Sequence, residues 1–304
     1  MSDAERRETQ PQDDPSVQPA DHGEEAAGYE AGREAENQER SDATEQEAIE
    51  EAQALSAPAV YEVVRREGDE ELSRPAVSLW WSGVAAGLSI SFSLLAQAIL
   101  ETHLPNAGWR PLVASLGYSV GFLMVVLGRQ QLFTENTITA ILPLAKDFNF
   151  RNLGRVGRLW SIVFLANIAG TLFAALFCTF TPVLQPDVYE SMLSISRIMM
   201  EHDWWSMLIK GIAAGFLIST MVWLIPSAEG AKFSTVTLMT YLIAAGGFTH
   251  IIAGSMEAFL LMLHGEVGIL AVVGHFMVPV LIGNIIGGTA LFAVLVYAQV
   301  MNEI

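Results

Sequence analysis

Six long apolar stretches, separated by short polar or charged runs, occupy the chain from residue 76 to residue 301. The first, Ala76 to Leu100, runs 25 positions without a charge, enough for one helix across a hydrocarbon core of roughly 30 Å. The third (about Leu159 to Thr181), the fourth (Trp204 to Ile225) and the sixth (Phe276 to Val300) are of similar length. The second and fifth differ. Pro111 to Ala145 would make a straight helix of roughly 52 Å, and Phe233 to His264 is also overlong. Each is interrupted near its middle, at Gly128-Arg-Gln-Gln-Leu-Phe-Thr-Glu-Asn-Thr-Ile-Thr139 and at Gly246-Gly-Phe-Thr-His-Ile-Ile-Ala-Gly254. Non-helical backbone at membrane depth is tolerated only where protein buries it or where it lines a water-filled cavity. The pattern therefore predicts an all-α membrane protein of six transmembrane helices, with the second and fifth broken around a pore.

The segments flanking the two interruptions repeat. Gly83-Val-Ala-Ala-Gly-Leu-Ser-Ile-Ser91 matches Gly211-Ile-Ala-Ala-Gly-Phe-Leu-Ile-Ser219 ahead of them, and Asn167-Ile-Ala-Gly170 resembles Asn284-Ile-Ile-Gly287 behind them. Both interruptions also contain Phe-Thr, at Phe133-Thr134 and Phe248-Thr249. Landmarks in the same order in both halves make a duplication, at about 76–181 and 204–301. Three spans per copy is an odd number, so the second copy is inverted, the 3+3 arrangement that places a transport site at the midplane. Glycines four apart at Gly83/Gly87, Gly211/Gly215 and Gly283/Gly287 predict helix-packing seams.

Ahead of the spans, residues 1–56 are rich in Glu, Gln, Asp, Ala and Pro and predict a disordered acidic tail. Residues 57–75 place Val60, Val63, Val64 and Leu72 among charges, the pattern of an amphipathic helix at the membrane interface that Pro75 ends. Most of the net charge of −17 belongs to this region: residues 1–75 carry 22 acidic and 7 basic side chains, net −15. It says nothing about the partners of the membrane body, and without a basic, aromatic-interleaved stripe no nucleic acid partner is predicted. The acidic start has no apolar core of a cleavable signal peptide. Cys178 is the single cysteine, which excludes an intramolecular disulfide.

Lys and Arg in the short flanks are asymmetric. Arg65, Arg66, Arg74, Lys146, Arg151, Arg155, Arg158 and Lys232 fall on one side, against Arg110 and Arg197 on the other. This predicts a multi-pass protein with both termini in the cytoplasm. Arg197 lies in an acidic segment with Asp187, Glu190, Glu201 and Asp203, read as an outward-facing loop.

Taken together, Leu132-Phe133-Thr134 with Glu135-Asn136-Thr137, then Phe248-Thr249-His250-Ile-Ile-Ala253, then Gly283-Asn284-Ile-Ile-Gly-Gly288 resemble the formate/nitrite transporter family over about residues 60–300. The run Gln-Gln-Leu-Phe-Thr-Glu-Asn-Thr looks most like its YfdC-like inner-membrane branch. The resemblance implies an aquaporin-like six-helix protomer in a homopentamer, each with its own pore for a small monovalent anion such as formate or nitrite, or for the neutral weak acid. It implies a bacterial-type inner membrane, apolar gates from Leu132, Phe133 and Ile243, and a polar waist from Thr134 and His250. Gln131 and Glu135 stand where the family has an acidic and a small residue around Leu-Phe-Thr, and Gly215 and Gly254 where it has asparagines.

The chemistry of such a pore needs donors or a proton, because a bare anion in a low-dielectric slit is costly. Helix restarts near Asn136 and Gly254 would turn free N–H groups toward the passage. His250, with an unperturbed pKa of about 6.5, is a titratable candidate; the alternative is a neutral imidazole bonded to a loop carbonyl, holding the break together. Thr134 either lines the waist or caps the restarting helix. Glu135 would repel an anion unless neutral or paired, and an ion pair with Arg129 is expected on the cost of leaving either charge alone. Lys210 either draws anions in or snorkels to the headgroups. No catalytic residue, cofactor or metal site is predicted, since the histidines and acids show no ligand spacing. The leading expectation is a channel or proton-coupled transporter for a small monovalent anion or its acid. The alternatives are a pore for a neutral solute or cation and a non-conducting membrane anchor for the acidic tail.

Overall fold

The computed structural model describes residues 33, 36, 38–45 and 55–303. It divides into Met1–Ala54 and Leu55–Ile304. In the first unit residues 38–45 are helical, held by an Arg40–Glu36 ion pair of 2.9 Å and a Gln38–Asp42 hydrogen bond of 3.0 Å. Composition predicts no order there; side chains four apart on one helix face supply it locally. The rest of the tail expected to be disordered lies outside the described residues.

Every regular element among the described residues of the second unit is a helix. Helix α1 (Ala57–Ser73) starts at Ser56, whose hydroxyl accepts from the Ala59 N–H, and stops before Pro75, which cannot continue a helix. Then follow α2 (Ala76–His103), α3 (Arg110–Leu127), the short α4 (Asn136–Thr139) and α5 (Ile141–Lys146), α6 (Phe150–Phe180) and α7 (Pro186–Met200). The second half holds α8 (Trp204–Leu224), α9 (Lys232–Ala245), α10 (Ile251–His264) and α11 (Ala271–Val300). Five of these, α2, α3, α6, α11 and α8 with its extension to Ser227, are long and apolar enough to cross a membrane, and α10 is a shorter apolar helix. Both long interruptions are breaks, at 128–135 and 246–250.

Three elements depart from the sequence reading. The apolar stripe of α1 is covered by protein: Val60, Tyr61 and Val64 are buried with Ile138, Leu142, Val222 and Phe292. Residues 186–200, expected as a loop, form α7, which buries Val188, Met192, Leu193 and Ser196 against α2 and α10. Its acids misdirect the reading, because they occupy the face opposite a stripe of helical period. The last span begins at Ala271, five residues early, and contains π-helical turns at Ala271–Met277 and Ile286–Ala293.

The small-residue seams lie within the protomer. Helix α2 crosses α6 and α8 crosses α11 so closely that a Cβ at Gly87 would sit 2.2 Å from the Asn167 carbonyl oxygen, and one at Gly215 2.3 Å from that of Asn284. These crossings bring one asparagine to each break.

Candidate functional site

The two helices that run into the breaks end in the same way. At the end of α3, Gln130 N–H donates to the Val125 carbonyl (3.0 Å) and Arg129 N–H to Val126 (3.2 Å). At the end of α9, Phe248 N–H donates to Ile243 (2.9 Å) and Gly247 N–H to Ala244 (3.0 Å). This is the Schellman cap, whose penultimate residue turns left-handed; Gly247 does so at φ 58° and Arg129 at φ 49°. One asparagine then pins each break. Asn167 Nδ2 donates to the Gly83 and Gln131 carbonyls (2.8 and 2.9 Å) while its Oδ1 accepts from Phe133 N–H (2.9 Å). Asn284 Nδ2 donates to Gly211 and Thr249 (2.8 and 3.0 Å) and its Oδ1 accepts from Ile251 N–H (2.9 Å). These bonds satisfy backbone groups that have no water to turn to.

They also fix the correspondence of the two halves. Gln131 matches Thr249 and Phe133 matches Ile251, so the shared Phe-Thr dipeptide is out of register and coincidental. Leu132 falls where His250 falls. His250 caps α10, its Nδ1 accepting from Ala253 N–H (3.2 Å). A nitrogen that accepts carries no proton, so in the neutral ring Nε2 does, and it donates to Thr134 Oγ1 at 2.8 Å. The imidazole is 1% exposed and meets the Phe122 ring edge-on. A side chain from each break thus meets in one uncharged hydrogen bond. The restart expected near Gly254 is at Ile251, and the histidine is held by an amide N–H and a hydroxyl where a loop carbonyl was the alternative.

One cavity reaches this contact at His250, and a second lies at the first break, where Glu135 next to Thr134 lines it. One, of about 270 Å³, is lined by Tyr118, Ser194, Thr249, His250, Gly254 and Glu257 among others. At its margin Arg110 pairs with Glu101 at 2.8 Å. The other, of about 320 Å³, lies against α1 and is lined by Glu67, Glu71, Arg129, Gln131, Glu135 and Lys232 among others. Glu71 reaches from α1 into the first break: its carboxylate accepts from Gln131 Nε2 (3.1 Å) and Thr139 Oγ1 (2.6 Å). Asn136 Nδ2 donates to Gln131 Oε1 at 3.2 Å, extending the chain of bonds. Burial pushes the Glu71 carboxyl above its ordinary value, with the Thr139 and Gln131 hydrogen bonds pulling the other way. Glu67 is pushed up chiefly by burial and pulled back by Arg129.

Of the residues singled out from sequence, the fold joins Thr134 to His250 and Asn136 to Gln131. Leu132, Phe133 and Ile243 are buried, yet none is among the residues lining either cavity. The Phe133 ring sits edge-on to Trp160 and Phe164 of α6, and Phe248 lines the cavity that Ile243 was expected to gate. Arg129 and Glu135 share the α1-side cavity but form no ion pair among the described residues; Glu135 Oε1 is buried without a hydrogen-bond partner. The expected pair fails because the left-handed turn at Arg129 and the wind that begins at Leu132, whose carbonyl accepts from Glu135 and Asn136 N–H, set the two side chains apart. Lys210 is not among the residues lining either cavity; its Nζ donates to the Gly247 carbonyl at 3.0 Å. Asn167, Asn284 and Glu71 were missed as site residues. The asparagines had a signal, being lone amides at equivalent places in two apolar spans.

A multi-pass helical membrane protein whose two broken segments meet, with a cavity lined by residues of each break, belongs to the class of membrane channels and transporters. The sequence model of the formate/nitrite transporter family matches residues 58–298, and the chain belongs to that family. It is 41% identical to inner membrane protein YfdC of Escherichia coli strain K12 over 81% of this chain and 80% of that one. It is 25% identical to formate channel FocA of Haemophilus influenzae over 71% of this chain and 84% of that one. Among solved structures, a pentameric formate channel with formate bound matches with a TM-score of 0.66 at 19% identity, covering 75% of this chain and 98% of that one; it shows the shared fold.

Proposed function

We propose that the protein is a pore, not an enzyme, through which a small monovalent anion of the formate or nitrite kind, or its conjugate acid, crosses the membrane. The carrying observation is the Thr134–His250 hydrogen bond of 2.8 Å, made between two breaks, with one cavity lined by His250 and another lined by residues of the first break. In this reading the contact is the polar waist of the passage. Leu132, Phe133 and Ile243 act from behind it as apolar packing that keeps the breaks narrow, and Asn167, Asn284 and Lys210 hold the backbone in place.

The same proposal assigns six membrane-crossing segments, with α9 and α10 forming the fifth, in an aquaporin-like inverted 3+3 repeat; the matched caps and asparagine pins support it. It assigns a homopentamer, supported by the pentameric state named for the solved formate channel. Both termini lie in the cytoplasm of an inner membrane, as the Lys/Arg asymmetry favours. The cavity beneath α1 is then the cytoplasmic one.

Flux into proteoliposomes, measured with formate, nitrite, acetate, lactate and a neutral solute at two pH values, tests the reading. Anion or weak-acid flux that falls at least about tenfold in His250→Ala supports it; flux of the neutral solute alone, indifferent to pH, favours a neutral-solute pore instead. The buried carboxyls in both cavities are the observation that keeps that second reading in view.

A further inference from the structure

The corner where α5 passes into α6 carries Lys146, Arg151, Arg155 and Arg158, and no carboxylate engages any of them. Between Glu135 and Asp187 the chain holds one acidic residue, Asp147. It is occupied within its own turn, where its Oδ2 accepts from Asn149 Nδ2 and Asn152 Nδ2, both at 3.0 Å. The four basic side chains therefore enter no ion pair among the described residues. Arg155 donates to Asn152 Oδ1 (3.4 Å) and Arg158 to the Arg74 carbonyl (3.0 Å), uncharged groups that orient a guanidinium without cancelling its charge. At the other end of the spans the arginines are matched, Arg110 by Glu101 and Arg197 by Glu190 and Glu266.

The same corner leaves apolar surface uncovered. Helix α6 has 31 residues, a length of roughly 46 Å against a hydrocarbon core of roughly 30 Å. Arg158 is its last charge, and the run Leu159–Phe180 is long enough to fill the core by itself, so the turns from Phe150 to Arg158 stand at and beyond the headgroups. There Phe148, Phe150 and Leu153 are 71%, 88% and 44% exposed. Phe150, Gly154, Gly157 and Ser161 recur at helical spacing on one face, and a Cβ at either glycine would meet nothing within 4 Å. That face is a shallow groove floored by backbone, with Phe150 at its head and the exposed Leu165 beyond its foot. Arg151, Arg155 and Arg158 recur at the same spacing on the adjoining face, so an arginine stripe runs along the groove. Val156, Leu159 and Val163, on the far side of the helix, are the residues buried in protein. The turn ahead of the groove is pinned, because Asn149 Oδ1 accepts from Asn152 N–H at 2.8 Å.

We propose that this corner binds an anionic phospholipid, its acidic headgroup on Lys146, Arg151 and Arg155 and its acyl chains along the glycine groove of α6. Guanidinium groups match phosphate oxygens in a two-point fork, and basic residues clustered just outside a span are drawn to an acidic leaflet. A soluble anion would answer the arginines and leave Phe148, Phe150 and Leu153 in water; a lipid answers both. By the Lys/Arg asymmetry the leaflet is the cytoplasmic one. The assignment needs the membrane fold and no particular transported solute.

Native mass spectrometry of the full chain, extracted from bilayers of phosphatidylglycerol and phosphatidylcholine in equal amounts, tests this by counting the lipids retained. Wild type is expected to keep the anionic lipid in preference, and Arg151→Gln with Arg155→Gln to lower that preference at least about tenfold, at about fivefold for each charge removed. Gly154→Leu keeps every charge but fills the groove, and is expected to lower retention at least about threefold. Unfolding temperatures equal to wild type in pure phosphatidylcholine show that both variants fold. Retention unmoved by the arginine substitutions overturns the assignment, and retention unmoved by Gly154→Leu reduces it to a diffuse attraction without a site. Loss of the oligomer in Phe148→Ser with Phe150→Ser would give this surface to a neighbouring protomer and overturn it as well.

Discussion

Arg129 and Gly247 occupy the same position in the two helix caps, and only the glycine is at ease there. A left-handed backbone costs a side-chain-bearing residue roughly 1–2 kcal/mol that glycine does not incur. Arg129→Gly is therefore expected to stabilise the protein by about 0.5–1 kcal/mol after glycine's extra unfolded-state entropy is subtracted. Gly247→Ala is expected to destabilise it by about 1–2 kcal/mol, since the new Cβ would also lie 3.3 Å from Lys210 Nζ. Thermal unfolding in detergent measures both, and shifts of the same sign would contradict the cap assignment. Asn167 and Asn284 each satisfy two carbonyls and one N–H. Either asparagine replaced by alanine leaves those buried groups unpaired and is expected to cost about 3 kcal/mol or more, with loss of flux. Both residues were legible as repeat landmarks; their role was not, because a sequence does not say which backbone groups a crossing helix will face.

Helix α1 is the element whose placement most changes the picture. Its apolar stripe reads as lying on lipid, yet Gly68 lets it approach so closely that a Cβ there would sit 1.9 Å from the Thr139 carbonyl oxygen, and Glu71 binds Gln131 and Thr139. The docked Glu71 carboxyl titrates above its ordinary 4.5 because burial disfavours its charge. Between those values docked α1 keeps a proton that the undocked helix has released. Its hold is thus full below about pH 4.5 and declines as pH rises through the raised value. Hydrogen exchange over 57–73 is expected to speed up across that rise beyond its intrinsic pH dependence. Glu71→Gln should remove the excess, and an unchanged excess in that variant would place the titration elsewhere.

At the scale of the molecule, Leu55–Ile304 is a unit of its own that includes both breaks, both cavities and α1. Removing residues 1–54 is expected to leave formate flux and the unfolding temperature unchanged, the latter within about 2 °C; a loss of flux would assign the acidic segment a part in transport. Five copies of a 33.0 kDa chain give the particle mass that the pentamer proposal requires in detergent, and light scattering that returns a single copy would refute it. Exposed apolar side chains such as Leu165, Phe173 and Phe177 on α6 and Val294 and Leu295 on α11 supply the surface that lipid or neighbouring protomers cover.

Hydropathy alone determined where the long helices lie and that two stretches break, since the length of an apolar run and the cost of unpaired backbone in lipid are properties of the chain itself. The paired Gly and Asn landmarks likewise gave the expectation of a duplication before any coordinates. Tertiary structure alone decided which residues of the two breaks correspond, the helix at 186–200, the covering of α1, the separation of Arg129 from Glu135 as an ion pair, and the partners of Lys210 and His250. Each depends on which groups meet across space: three hydrogen bonds to an asparagine outweigh a shared dipeptide, and an amide and a hydroxyl, brought by two different breaks, fix the state of one imidazole.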